Sequence, residues 1–255
     1  MPVYRGAGVS RGRSLSNKVT KVFVISYFPV FIYPLDQESR QSMNITIRNE
    51  TPSDYKTVEQ ITREAFWNLY VMGCDEHYLV HIMRDHPDFI SNLAFVAEVD
   101  NKIVGNIMFV KSNIADQSGN RIETVNFGPL TVLPEYQRKG IGTALIEHAK
   151  RVALENGHNI IIIEGHPKNY LKAGFKSSSD FNISDPDGKF PYGLMALELQ
   201  PGAIPKGAWR YISSDLYQIN PEDAHAFDDK NFPPKKREYR YTQYEFELSC
   251  RAFVE

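Results

Sequence analysis

Between Val132 and Thr143 the chain runs Leu133-Pro134-Glu135-Tyr136-Gln137-Arg138-Lys139-Gly140-Ile141-Gly142. Two glycines one residue apart let a backbone approach an anion with no Cβ in the way. A helix beginning there adds unpaired N–H groups and a partial positive charge. Arg138 and Lys139 put cationic side chains beside the same turn. Gln137, Arg138, Lys139, Gly140, Ile141, Gly142 and Thr143 therefore read as a pyrophosphate cradle. The turn is not a Walker loop, because no Gly-Lys-Ser/Thr occurs in it. It also departs from the dinucleotide fingerprint, with Leu145 where a third Gly or an Ala would stand.

Groups able to handle a proton lie on either side of this turn. Glu164 ends the apolar run Ile160–Ile163, a position where burial would raise a carboxyl pKa. His166 follows two residues later and titrates near neutrality. Glu123, at the head of the preceding strand, is a third candidate base, and a solvated strand end is an equal reading of Glu164. Other constellations carry less. His77 and His81 share a helix face but lack the zincin Glu between them, so a solvated or acceptor-facing surface is expected. Asp185-Pro186-Asp187-Gly188 reads as a turn rather than a calcium loop. Cys74 has no activating partner in sequence. Lys235-Lys236-Arg237 reads as a solvated charge run.

The elements that must position these groups follow from periodicity. Asn44–Arg48 alternates as a strand; Thr51-Pro52-Ser53-Asp54 gives an N-cap signal, and Val58, Ile61, Ala65 and Phe66 recur at helical spacing. A second helix is expected over Asp75–Arg84, and a hairpin from Phe95–Val99 and Ile103–Val110 around Asp100-Asn101-Lys102. Thr124–Val132 forms a strand in which Gly128-Pro129 marks a bulge or an opening; an edge strand with the Pro toward solvent is the alternative. An amphipathic helix spans Thr143–Asn156, and Asn159–Ile163 is a strand covered on both faces. A short helix is expected around Tyr170. The order β-α-α-β-β-β-α-β-α-β is that of a mixed α/β (α+β) domain with a central sheet. After Pro201 the pattern is less regular, although Tyr239, Tyr241, Tyr244, Phe246 and Leu248 alternate like strand residues.

Composition bounds the class. The 255 residues are 42% hydrophobic and 24% charged, ordinary for a globular protein. With 29 basic and 31 acidic residues the net charge is −2, which favours neither nucleic acid nor an anionic membrane as partner. Two cysteines far apart in sequence argue against a disulfide framework and fit a reducing cytoplasm. Near the N-terminus, basic residues precede the apolar run Val22–Leu35, as in a secretory signal. That run is about 14 residues against the ~20 needed to span a bilayer, Pro29 and Pro34 interrupt it, and no Ala-x-Ala site follows. The expected organisation is an N-terminal appendage over 1–42, a domain over 43–200, and a C-terminal extension over 201–255 packing on it.

The stretch Leu130-Thr131-Val132 through Gly140-Ile141-Gly142 to Leu145 resembles the acyl-CoA signature of the GNAT superfamily of N-acetyltransferases, Gln/Arg-x-x-Gly-x-Gly/Ala after a Leu-x-Val strand end. Tyr170-Leu171-Lys172-Ala173-Gly174-Phe175 resembles a second family feature, a Tyr four residues before Gly-Phe. Gly165-His166-Pro167, with Phe127-Gly128-Pro129-Leu130, looks most like a bacterial subgroup of small N-acetyltransferases. The likeness spans Met43 to Leu199. It implies a central mixed sheet whose splayed strand pair holds the pantetheine arm on Leu130, Thr131 and Val132. It implies acetyl-CoA as co-substrate and Tyr170 as the acid for the departing thiolate; it names no base, since many members of the family use a water chain, so Glu164, His166 and Glu123 stand as the residue-level candidates. Transfer would be direct, in a ternary complex, to a small-molecule or protein amine, without a metal or a covalent intermediate. Neither nucleic acid nor a membrane is an implied partner, and a homodimer is compatible with it. A non-catalytic acyl-CoA-binding or sensing module, a transferase for another acyl-CoA, and an interaction module built on the Tyr-rich tail are the alternatives.

Overall fold

A computed structural model describes residues 43–255. The 1–42 segment expected as an appendage lies outside the described residues. Strands β1 (Ile45–Asn49), β2 (Phe95–Val99), β3 (Lys102–Ala115) and β4 (Arg121–Val132) form an antiparallel series, and β5 (Ile160–Glu164) adds to β4 in parallel. Beyond β5 lie β8 (Leu194–Glu198) and then β6 (Lys176–Ser177), both antiparallel. The β2–β3 turn is two residues, Asp100 and Asn101, with φ of 51° and 61°. That double left-handed turn matches the strand twist, and Asp and Asn tolerate it better than most side chains.

The apolar pattern sets the layers. Along β5, Ile161 and Ile163 join the main core while Ile160 and Ile162 face a second cluster with Ile114, Trp209 and Tyr211. Two covered faces are what the unbroken β-branched run requires. Helix α1 (Tyr55–Phe66) buries Val58, Ile61 and Thr62; α2 (Glu76–Met83) buries Leu79, Val80 and Met83. Helix α3 (Ile141–Glu155) buries Leu145, Ile146, Ala149 and Ala153. It lies close to the sheet over Gly105, where an added Cβ would sit 2.8 Å from the Thr131 carbonyl oxygen and 3.3 Å from Leu145 Cδ1.

Residues after Pro201 are more regular than their sequence suggests. Strand β9 (Trp209–Ile212) pairs with the far half of β3 and with β7 (Ile183–Ser184), so β2 and β9 share one edge of that long strand. Helix α4 (Pro221–Asn231) is tied to α1 by a buried pair, Arg63 Nε to Asp228 Oδ1 at 2.5 Å, both side chains 4% exposed. Arg237 reaches the same carboxylate at 3.2 Å. His77, expected on a solvated or acceptor-facing surface, is fully buried here between Phe227, Phe232 and Asp228. Burial pushes its pKa down to about 4, so it is neutral at pH 7. The Lys235–Arg237 run is paired to the chain's own Glu64, Glu238, Asp228 and Asp229.

Of the alternating residues of the tail, Tyr241, Tyr244, Phe246 and Leu248 lie in a helix, α5 (Tyr241–Cys250), rather than the expected strand, and Tyr239 precedes it. Alternation marks a strand when one face is buried, and here Tyr244, Phe246 and Leu248 are all exposed. The buried residue is Gln243, whose Nε2 donates to the carbonyls of Asn68, Val71 and Glu238, each at 3.1 Å. A polar anchor carries no hydrophobic period. No helix among the described residues is long and apolar enough to cross a membrane.

Candidate active site

The sheet opens between β4 and β5. Their parallel register holds only at Val125 opposite Ile161. Beyond it β4 continues along β3, while β5 ends at Glu164 beside β8. The opening coincides with a bulge. Phe127 lies opposite Phe109 and Leu130 opposite Ile107, so Gly128 and Pro129 together face Met108. An extra residue on one strand bends it away from its neighbour. From Leu130 to Val132 the backbone therefore has β3 on one side and no β5 partner on the other. Thr131 turns its side chain into the core, 3.2 Å from Thr62 Oγ1, so only its main chain can face the gap.

The 137–143 turn sits at the end of that gap. Gln137 Nε2 donates to the Val132 carbonyl at 3.0 Å and fixes the turn to the strand. Arg138 has φ of 60° and Gly140 of 91°, which aims successive N–H groups outward. A Cβ at Gly140 would meet nothing within 4 Å, so glycine serves the backbone angle and the space above is open. The first bond of α3 is Ala144 N–H to the Gly140 carbonyl at 2.9 Å, leaving the N–H groups of Ile141, Gly142 and Thr143 ahead of the ladder. The helix starts two residues earlier than its apolar pattern indicates, and this places Gly142 inside its first turn. Arg138 and Lys139 are exposed, and the Lys139 ammonium lies 5.4 Å over the Tyr136 ring.

Tyr170 stands between two single 3₁₀ turns, Pro167–Asn169 and Leu171–Ala173, where one short helix was expected. Its ring lies edge-on to Phe127 at 5.9 Å and to Phe175 at 6.0 Å, which sets it at the mouth of the bulged strand. Burial first, and Tyr70 second, push its pKa up to about 12. The phenol is fully protonated at pH 7. Gly165 makes room for it, since a Cβ there would come within 2.6 Å of Tyr170 Cε2.

Glu164 is open to solvent, yet enough protein surrounds the carboxyl that desolvation, with Asp185 adding to it, raises its pKa. His166 is exposed and its Nδ1 accepts the Lys168 N–H at 3.2 Å, capping the first turn. Glu123 lies at the opposite end of β4, 3.7 Å from His158.

Sequence reasoning missed three polar groups beside the bulge. Asn126 Nδ2 donates to the Tyr211 hydroxyl at 2.5 Å. Tyr217 donates to Asn126 Oδ1 at 3.2 Å and approaches the Gly128 carbonyl at 3.4 Å. Burial raises the pKa of both phenols, and Glu164 adds to the rise in each. A signal for Asn126 was present as a lone amide inside an apolar strand. The two tyrosines arrive from the tail, where nothing local marks them.

Comparison with known proteins agrees with this geometry. Residues 91–177 match the family described as acetyltransferase (GNAT) domain. An N-alpha-acetyltransferase of Sulfurisphaera tokodaii is 29% identical over 174 residues, covering 64% of this chain and 98% of the relative. One from Saccharolobus solfataricus is 30% identical over 139 residues, covering 52% of this chain and 77% of the relative. A GNAT family N-acetyltransferase of Escherichia coli, solved in complex with CoA, superposes with a TM-score of 0.60 at 18% identity, over 71% of this chain and 96% of that one. A GNAT family acetyltransferase of Brucella melitensis, solved with acetyl-CoA, gives 0.54 at 23% identity, over 69% and 99%. These two likenesses establish a shared fold.

Proposed function

The chain belongs to the GNAT N-acetyltransferases, and on that premise we propose that it moves the acetyl group of acetyl-CoA directly onto a primary amine in a ternary complex. The observation that carries this reading is the gap between β4 and β5, which runs from Tyr170 to the N-terminus of α3. The N–H groups of 141–143, with Arg138 and Lys139, take the pyrophosphate. The unpaired backbone of Leu130–Val132 takes the pantetheine arm as a strand would.

The chemistry needs a neutral amine and a protonated leaving thiolate. A lysine-like amine of pKa ~10.4 at pH 7 costs about 4.6 kcal/mol to deprotonate, whereas an α-amine near 8 costs about 1.4 kcal/mol. The two archaeal relatives are named N-alpha-acetyltransferases, and together with this lower cost that supports an α-amino acceptor. Glu164, with its raised pKa, is suited to take the ammonium proton, directly or through water. Tyr170 donates to the leaving sulfur. A phenol near 12 lies roughly 3.5 units above a thiol near 8.5, about 4.8 kcal/mol uphill for complete transfer. The same dry surroundings destabilise the thiolate and narrow that difference, so Tyr170 acts while the C–S bond is breaking. His166, capping its own turn, is better placed to hold Tyr170 than to take the proton. The two free cysteines fit work in a reducing cytoplasm.

Calorimetric titration with acetyl-CoA tests the reading, using Gly140→Glu/Gly142→Glu protein as control. Micromolar binding lost in the control is expected, followed by CoA release with peptides bearing a free α-amine. Folded protein that binds no acetyl-CoA would overturn it.

A further inference from the structure

The shared body leaves part of this chain over: the S. tokodaii relative is matched over 98% of its length by 64% of this chain. The C-terminal segment from Lys236 onward follows a defined course in the structure. It is moored first to the α1–α2 connection. There the Lys236 carbonyl accepts from Trp67 Nε1 and Asn68 Nδ2, each at 3.0 Å, and Glu238 N–H donates to Asn68 Oδ1 at 3.1 Å. Gln243 adds its bonds to the carbonyls of Asn68 and Val71. The second mooring lies beyond α5. Tyr192 N–H donates to the Ala252 carbonyl at 2.8 Å, and Val254 N–H to the Phe190 carbonyl at 2.8 Å. The neighbouring Gly193 carbonyl accepts from Gly165 N–H at 2.9 Å, directly after Glu164.

The second mooring adjoins the end of β5, where Leu194 lies opposite Glu164. Phe246 stacks on Tyr70 with ring centroids 4.6 Å apart, and Tyr70 is near enough to Tyr170 to raise its pKa. At the other end of α5, the exposed Cys250 stands two residues before Ala252, whose carbonyl accepts from Tyr192 N–H close to the Glu164 end of β5. We propose that residues 237–255 form the acceptor-side wall of the active site, with Phe246 and Cys250 flanking the incoming amine. This rests on the acetyl-transfer reading above. On this proposal Tyr70, Glu164 and the edge of Tyr170 would line the acceptor path, aromatic faces and a carboxylate suited to an amine that arrives as an ammonium ion. Specificity then resides in part in this strap.

Affinity labelling tests this without knowledge of the acceptor. Bromoacetyl-CoA carries an electrophilic carbon in place of the acetyl methyl. The Cys250 thiolate would attack that carbon, forming a C–S bond and expelling bromide, the thiol proton going to buffer. Expected is an adduct on Cys250, located by peptide mass spectrometry, with a rate that saturates in reagent and falls at least 10-fold when CoA is added. Cys74, 2% exposed, serves as the internal negative. Phe246→Cys in a Cys250→Ser background should label with the same saturation. A rate linear in reagent and indifferent to CoA at both positions, in protein that binds CoA by calorimetry, would overturn the wall and leave the transferase reading standing. Folded protein that binds no CoA overturns both.

Discussion

Replacing Gly165 by alanine isolates the placement of Tyr170 from its chemistry. Gly165 is not among the residues held at positive φ, so alanine is allowed by the backbone and the effect comes from contact alone. The new methyl would sit 2.6 Å from Tyr170 Cε2, against the roughly 3.5 Å of an ordinary carbon contact, so the ring must retreat by about 0.9 Å. The ring is packed on Phe127 and Phe175, so the retreat moves the hydroxyl rather than being absorbed. A misplacement of about 1 Å costs on the order of 100-fold in rate, and the overpacking about 1–3 kcal/mol in stability. Gly165→Ala should therefore lower kcat by ~30- to 100-fold while the acetyl-CoA Kd stays within about 2-fold, because the turn proposed to hold the pyrophosphate is elsewhere. Tyr170→Phe should lose about 100-fold or more. The double variant should be no slower than Tyr170→Phe, since a displaced hydroxyl that is already absent cannot be lost twice. Thiol-release kinetics beside calorimetry read all of this. A Gly165→Ala enzyme with more than half the wild-type kcat, or additive losses in the double variant, would refute the role given to Tyr170.

Arg138→Ala/Lys139→Ala should weaken acetyl-CoA binding by roughly 10-fold at low salt, a gap that narrows in a calorimetric titration as ionic strength rises. Asp54 is held down to about 2, by the Arg48 guanidinium first and the Thr51 hydroxyl and N–H after it. Its folded pKa lies below its unfolded one, so the stability it confers is present above about pH 4 and fades toward pH 2. Arg48 is 36% exposed, which screens the pair, so Asp54→Asn should lose about 1–2 kcal/mol in urea unfolding at pH 7 and progressively less below pH 4. Asp228→Ala should be far more damaging, about 3–5 kcal/mol by thermal unfolding, because Arg63 is left buried without its counter-charge.

What the sequence disclosed and what it concealed divide by range. The turn proposed to hold the pyrophosphate was legible as a tight strand-to-helix connection because Gly140, held at φ of 91°, announces its backbone angle directly. The opening beside Leu130 was visible through Gly128-Pro129, a pair that disrupts any ladder. Helices α1 to α3 and strands β1 to β5 were legible from apolar period, although β3 runs five residues beyond the expected Val110 and β4 begins three residues before the expected Thr124. The tail was not. Helix α5 is held by Gln243 and by main-chain bonds to residues 190–192, so no stripe of burial marks it. His77 looked like a surface residue because nothing nearby in sequence shows that Phe227, Phe232 and Asp228 will close over it. Asn126, Tyr211 and Tyr217 meet through bonds spanning 85 and 91 residues, a separation at which spacing says nothing.

The missing rungs between β4 and β5 also bear on how long the molecule survives in a cell. A sheet lacking a strand's worth of bonds gives up cohesion that an occupant restores, and an occupant that binds only the folded chain shifts the folding equilibrium by mass action. At 100 times its Kd a ligand adds about 2.7 kcal/mol, a substantial share of the roughly 5–15 kcal/mol that separates most folded proteins from their unfolded states. The abundance of this enzyme would then follow the supply of its acetyl donor: when acetyl-CoA runs short, the emptied chain opens more often and is the form that proteases remove.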